Sequence, residues 1–248
     1  MKYRLLTYNI GHGRYNINYK KGDIVNKEQV INNFLGEYSI LVKENPDIIL
    51  LQETGVTKIN NYRINYKQYF SSYKKIYIPN RKIPFVMNIG NSIFLREQYD
   101  YKYSIIKCNK KLNGYKNNLY CQNKNSIKLI INDLVIYNVH FCPYKANYDV
   151  RQHQLINILS DAYLEYKNAK KVIIGGDFNQ SINELPEEYN MFKIVFPNDD
   201  TCRDLNDINN TFKLDGFIIS DNIINYNVYS LKNYLYSDHS PVILEIDI

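Results

Sequence analysis

Two stretches of this chain are apolar on consecutive residues and end in an acid. Ile48-Ile49-Leu50-Leu51 runs into Gln52-Glu53, and Val172-Ile173-Ile174 runs into Gly175-Gly176-Asp177. A strand with one wet face alternates apolar and polar residues, so a run without alternation has to be covered on both faces. Each run closes a similar series of elements. Leu5-Leu6-Thr7-Tyr8-Asn9-Ile10 precedes a helical pattern from Lys27 to Glu44 and then the first run. Leu134 to His140 precedes a helical pattern from Gln152 to Tyr166 and then the second. Strand, polar residue, helix, apolar strand, acid is thus written twice. Two sheets packed face to face with helices outside satisfy that burial. If the halves are related by pseudo-symmetry, their polar strand ends meet on one edge.

Further β-rich runs fall at Asn91–Leu95, Ser126–Ile131, Leu214–Ser220 and Pro241–Ile246, mostly bounded by turn residues. The helical patterns place Val30, Ile31, Phe34, Leu35, Tyr38, Leu41 and Val42, then Leu155, Ile158, Leu159, Ala162 and Tyr163, at helix-like spacing, with Asp149 a candidate cap of the second. No linker divides the 248 residues, so one domain over 1–248 is expected. No run reaches the roughly 18 apolar residues of a membrane span. The first residues look like a strand rather than a signal peptide, which predicts a cytoplasmic location. Cys108, Cys121, Cys142 and Cys202 show no metal-ligand spacing. Four reduced thiols are expected, with a Cys108–Cys121 bridge only in an exported protein.

Acids, amides and histidines gather at the ends of apolar strands: Glu53, His140, Asp177 with Asn179, Asp215, and Asp238 with His239. Singly, an acid there usually just begins a turn and a histidine is usually a hydrogen-bonded, half-buried residue. Five such ends in one chain are harder to dismiss.

The words around them sharpen the pattern. Gly175-Gly176-Asp177-Phe178-Asn179, Leu214-Asp215-Gly216-Phe217 and Ser237-Asp238-His239-Ser240-Pro241-Val242 resemble the endonuclease/exonuclease/phosphatase superfamily, as do Tyr8-Asn9-Ile10, Leu51-Gln52-Glu53 and Asn138-Val139-His140. The six motifs stand in the family's order from Asn9 to Val242. The resemblance implies an α/β fold, a four-layer αββα sandwich of two mixed sheets with helices outside. It also implies Mg²⁺-dependent attack of water on a phosphoester, with Mn²⁺ as an alternative ion. On that pattern Glu53 leads the metal ligands, with Asn9 and Asp238 beside it, since Mg²⁺ prefers oxygen and keeps several waters. Asp177 orients or deprotonates the water, and Asn179 positions the phosphate. His239 contacts the phosphate with Asp215 holding its ring. His140 protonates the leaving oxygen or stabilises the transition state. Which histidine gives the proton stays open. Asn91 and Arg151 are assigned to substrate binding.

Two departures bear on the branch. The abasic-site endonucleases usually carry Tyr in the middle motif, where this chain has His140, and an acid where it has Gly11. The chain is more similar to the His-containing branches, which include pancreatic-type deoxyribonucleases, the nuclease subunit of cytolethal distending toxin, sphingomyelinases and several phosphatases. His12 reads first as an exposed loop residue and second as a group entering the site. His153 reads as surface or packing.

Net charge is +6, which suits a phosphate-rich partner. Charges of this size are ordinary for a soluble domain, and heavy use of Tyr, Asn, Ile and Lys fits A/T-rich codons. Residues 58–82 interleave Tyr62, Tyr66, Tyr69, Phe70, Tyr73 and Tyr77 with Arg63, Lys67, Lys74, Lys75 and Arg81. Such a loop either tracks a phosphate backbone and stacks bases or is a solvated segment; Lys107 to Lys116 poses the same choice. The leading expectation is a monomeric nuclease acting on DNA. The alternatives are a hydrolase of small-molecule or lipid-headgroup phosphates and, with less weight, a binding module that has lost catalysis.

Overall fold

The computed structural model describes residues 1–14, 18, 23, 25–59, 62–65, 72–83, 87–107, 124–143, 148–207, 209–232 and 235–248, with backbone only at 56–59, 62–65, 81–83 and 87–88. The first element pair is β1 (Lys2–Asn9) and β2 (Ile48–Ile59), parallel neighbours joined through helix α1 (Lys27–Glu44). β3 (Tyr62–Asn65), β4 (Tyr73–Ile83) and β5 (Met87–Arg96) follow antiparallel to their partners. The second half opens with β6 (Lys102–Ile106) and β7 (Ser126–Ile131). It repeats the parallel unit as β8 (Leu134–His140), α2 (Tyr148–Lys167) and β9 (Lys171–Asp177). β10 (Phe192–Val195), the short pair β11 (Cys202–Arg203) and β12 (Thr211–Phe212), β13 (Asp215–Ser220), β14 (Asn225–Ser230) and β15 (Val242–Asp247) complete the chain.

One sheet runs β14-β15-β1-β2-β5-β4, with β3 paired to β2; the other runs β10-β13-β9-β8-β7-β6. Their facing sides meet in a core that includes Leu5, Ile48, Leu50, Ile93, Leu129, Ile136, Ile173, Phe217 and Leu244. The outer face of the first sheet buries Leu6, Ile49, Leu51 and Phe94 with Phe34 and Leu41 of α1. The outer face of the second buries Val135, Tyr137, Val172 and Ile174 with Leu155, Ile158, Leu159 and Ala162 of α2. Successive residues of β2 and β9 thus point alternately into the sandwich and under a helix, which is why both runs are apolar throughout. This is the four-layer αββα arrangement.

α1 matches its pattern at both ends. The Asn26 side chain accepts the Gln29 amide at 2.8 Å, and Asn45 closes the helix in the left-handed region. α2 begins earlier, so Asp149 lies in its first turn and is not its cap. The stretch read as a loop over 58–82 is partly strand. β4 is the outer strand of its sheet, and Ile76 and Ile78, at the period of two, are buried in the sandwich. Lys74 and Lys75 are engaged locally: Lys74 Nζ donates to the Tyr99 carbonyl at 2.8 Å, and Lys75 sits over the Phe94 ring. Residues 66–71 and 108–123 lie outside the described residues, and with them most of the Lys107–Lys116 segment and both cysteines of the Cys108–Cys121 pairing.

The thiols also differ from expectation. Cys202 is free and buried, but Cys142 is disulfide-bonded.

Candidate active site

Strand register brings the polar ends together. β8 and β9 are parallel with His140 beside Asp177, and β13 runs antiparallel to β9 with Asp215 on the other side of Asp177. Three of the residues singled out in the sequence therefore form one row at the rim of the second sheet. From the first sheet, β1 ends at Asn9, whose strand partner is Gln52. The pairing of β2 with β5 shifts register between Leu51 and Thr54, and Glu53 takes φ 54°, in the left-handed region. That irregularity re-aims the Glu53 side chain. A polar bridge keeps the two rims opposed: Gln52 Nε2 donates to Asn138 Oδ1 at 2.8 Å, and Asn138 Nδ2 donates to the Ser92 carbonyl at 2.8 Å.

Asp177 is the centre of the cluster and is 1% exposed. Its Oδ2 accepts Asn9 Nδ2 at 2.9 Å and Asn179 Nδ2 at 3.0 Å, and its Oδ1 accepts the Asn179 backbone amide at 2.8 Å. Asn179 (φ 52°) also donates to the Phe141 carbonyl. Two imidazoles face the same carboxylate, His140 Nε2 at 3.5 Å and His239 Nε2 at 3.9 Å from Oδ2. His239 Nδ1 lies 2.8 Å from Asp215 Oδ2. Thr201 Oγ1 accepts the Asp215 amide, and Ser237 Oγ accepts the His239 amide.

The two histidines hold opposite states. Burial disfavours charge on His239, but Asp215 outweighs it, with help from Cys202 and Asp177, and the ring keeps its proton well above the usual histidine range. Burial and then the Lys124 ammonium push His140 down to about 3, against the pull of Asp177 and Glu53. Near neutral pH His239 is therefore the charged ring and His140 the neutral one.

Lys124 and His12 reach the site without having been assigned to it by their sequence context. Lys124 Nζ lies 2.6 Å from His140 Nε2, and burial lowers its own pKa to about 8 against the attraction of Glu53 and Asp177. No motif marked it, because it stands just ahead of β7, far in sequence from every motif but the middle one. His12 was read first as an exposed loop residue. It is 6% exposed, and its Nε2 lies 2.9 Å from Glu53 Oε2. Gly11 and Gly13 at φ 49° and 66° flank it and fold the loop inward. Burial alone would raise Glu53; His12 first, then His140 and Lys124, hold it well below the usual carboxylate range instead. His153 is exposed on α2.

Asn91 is fully buried on β5, with Nδ2 donating to the Asn125 carbonyl and Oδ1 unpartnered among the described residues. Arg151 is buried at the start of α2, where Nε donates to Gln180 Oε1 and Nη1 to the Cys142 carbonyl. Asn91 thus contacts the segment that carries Lys124, and Arg151 the segment that carries Phe141 and Cys142.

The donor chemistry fits a hard divalent cation. Burial raises the Asp238 carboxyl against the attraction of His239, and the negative charge of Glu53 adds to the rise. The Asn9 Oδ1 accepts one bond among the described residues, from the Gly11 amide, and a carbonyl oxygen has a second lone pair to offer. Glu53, Asp238 and Asn9 carry oxygen donors of the kind that could hold a divalent cation.

The model of the endonuclease/exonuclease/phosphatase family matches residues 6–239, and the chain belongs to that family, whose members hydrolyse phosphoester bonds. No curated protein matches the sequence. Among solved structures, truncated TDP2 from Caenorhabditis elegans superposes with TM-score 0.72 at 14% identity, covering 100% of this chain and 98% of that one. D. rerio TDP2 complexed with a single-strand DNA product gives TM-score 0.64 at 16% identity, with 100% and 99% coverage. The human Nocturnin catalytic domain with a bound sulfate anion gives 0.64 at 16%, with 99% and 94% coverage. At these identities the likeness is one of fold. No helix among the described residues is long and apolar enough to cross a membrane.

Proposed function

We propose that residues 1–248 form one Mg²⁺-dependent phosphodiesterase domain that cleaves nucleic acid, with DNA as the first substrate. The observation that carries this is Asp177, a buried carboxylate held on one side by Asn9 and Asn179 and faced on the other by two imidazoles, His140 and His239. A positioned base beside a fixed cationic donor is what hydrolysis of a phosphodiester by water requires.

Glu53, Asn9 and Asp238 would hold the ion, which when bound neutralises charge developing on the phosphate oxygens. Asp177 orients the attacking water and accepts its proton, while Asn9 and Asn179 keep its carboxylate from rotating. Asp215 fixes the His239 ring so that its Nε2–H points at the phosphate, and the charged ring is the better proton source for the leaving oxygen. His140, kept neutral by burial and by Lys124, accepts or donates a hydrogen bond to a phosphate oxygen without adding charge. Lys124 supplies the ammonium on that side. Asn91 Oδ1 and Arg151 border the substrate. The DNA-product complex of a structural neighbour supports a nucleic-acid substrate. The smaller-phosphoester reading is kept by β4, whose Lys74 and Lys75 are taken up by local partners and do not form a free basic track.

The purified protein is expected to cut plasmid or oligonucleotide with Mg²⁺ and to stop with EDTA. Asp177→Asn should lower turnover by roughly 10²–10⁴-fold. Phosphate release from inositol phosphates or headgroup cleavage from sphingomyelin, with every DNA and RNA left intact, would move the assignment to the small-phosphoester class.

A further inference from the structure

Beside the proposed Mg²⁺ ligands stands a donor set of a different chemical character. Cys202 Sγ lies 3.6 Å from His239 Nε2, and the sulfur, the imidazole nitrogen and an Asp238 carboxylate oxygen all lie within 4.8 Å of one another. We propose that Cys202, Asp238 and His239 form a site for a thiophilic divalent cation of the zinc class, and that its occupation arrests the hydrolase.

The sulfur–imidazole separation, which in this structure is a hydrogen bond, is one that a tetrahedral zinc ion can span. With Zn–S near 2.3 Å and Zn–N near 2.0–2.1 Å, two ligands at the tetrahedral angle stand about 3.5 Å apart, close to the 3.6 Å between Sγ and Nε2. The donors are also fixed before any ion arrives. Cys202 and His239 form an isolated β-bridge, the Arg203 amide donates to the Asp238 carbonyl at 2.9 Å, and the Ser240 amide donates to the Thr201 carbonyl at 2.7 Å. Asp215 occupies the other ring nitrogen, Nδ1, as the carboxylate partner that zinc-bound histidines commonly have. Three protein ligands leave the fourth position open to water.

Hardness separates the two ions. Thiolate favours zinc and disfavours Mg²⁺, so the sulfur selects against the ion that Glu53 would hold. Binding displaces the Cys202 thiol proton and the His239 Nε2 proton to solvent, leaving a thiolate and a carboxylate that balance the charge of the ion. Arrest then follows from the reading in which His239 faces the phosphate: its Nε2 and the Asp238 carboxylate are withdrawn together.

Co²⁺ titration of the full chain tests this without any turnover assay. A sulfur-to-cobalt charge-transfer band in the near ultraviolet is expected in the native protein and should be lost in Cys202→Ser and Cys202→Ala. Far-ultraviolet circular dichroism checks that both variants are folded. In the same variants Mg²⁺-dependent turnover should persist while the half-inhibitory Zn²⁺ concentration rises at least tenfold. No band in the native protein, or the same band or the same zinc sensitivity in both variants, overturns the site. A protein that shows the Cys202-dependent band but hydrolyses nothing would refute the function proposed above and leave the metal site standing.

Discussion

Glu37 illustrates how one residue couples the hydrophobic layer to the site. It lies on α1, is 1% exposed, and neither carboxylate oxygen has a partner among the described residues; the hydroxyl of buried Tyr8 is in the same position. Burial, and then the negative charge of Asp238, raise its pKa well above the ordinary value of 4.5. The folded chain therefore keeps this proton where the unfolded chain gives it up. Stability is fully present below about the ordinary glutamate pKa and falls as pH rises from there through the folded value. Glu37→Gln should remove that slope and gain about 1–3 kcal/mol at pH 8, with little change at pH 4. Urea midpoints at the two pH values measure it, and equal gains at both would show that the proton is not the cause.

At the scale of elements, what matters is how strands end. β9 runs straight through its apolar residues to Gly175-Gly176-Asp177. Gly176 has φ 151°, and a Cβ there would stand 2.0 Å from the Val139 carbonyl oxygen of β8. Only glycine lets the two strands approach while the register holds His140 beside Asp177. Gly176→Ala should destabilise the protein by about 2 kcal/mol or more and lower turnover by roughly 100-fold through displacement of Asp177. Thermal unfolding and single-turnover rates read the two effects, and unchanged values for both would remove glycine from the explanation. Much at this scale was legible beforehand. α1 spans the residues its pattern marked, and Ser126–Ile131 is β7, because amphipathic or continuously apolar runs report burial directly. β4 was missed because its basic and aromatic residues masked the alternation at Ile76 and Ile78. The end of β2 was placed short because pairing continues past the bulge at Glu53, which no local signal marks.

At the scale of the whole molecule, the sandwich interior holds the two rims against one another. Leu50 is fully buried there, and its Cδ1 would meet a Cβ added at Gly175 on the opposite sheet. Leu50→Ala is expected to cost about 2–5 kcal/mol. With enough residual stability at low temperature, Mg²⁺-dependent turnover should be kept better than in Gly176→Ala, since no site residue is touched. Chemical denaturation and turnover on one preparation compare them, and loss of turnover without loss of stability would contradict this division. The sequence by itself determined the layers, the doubled strand–helix–strand unit and the strand-end residue types, since each follows from local periodicity and from motifs read in order. Tertiary structure alone decided which of those ends touch: the row His140–Asp177–Asp215, the inward His12 against Glu53, Lys124 against His140, and Cys202 against His239. Lys124 and His140 are 16 positions apart and the other pairs 37 to 41, fixed by strand register and backbone irregularities, and a chain read one neighbourhood at a time carries no signal of them.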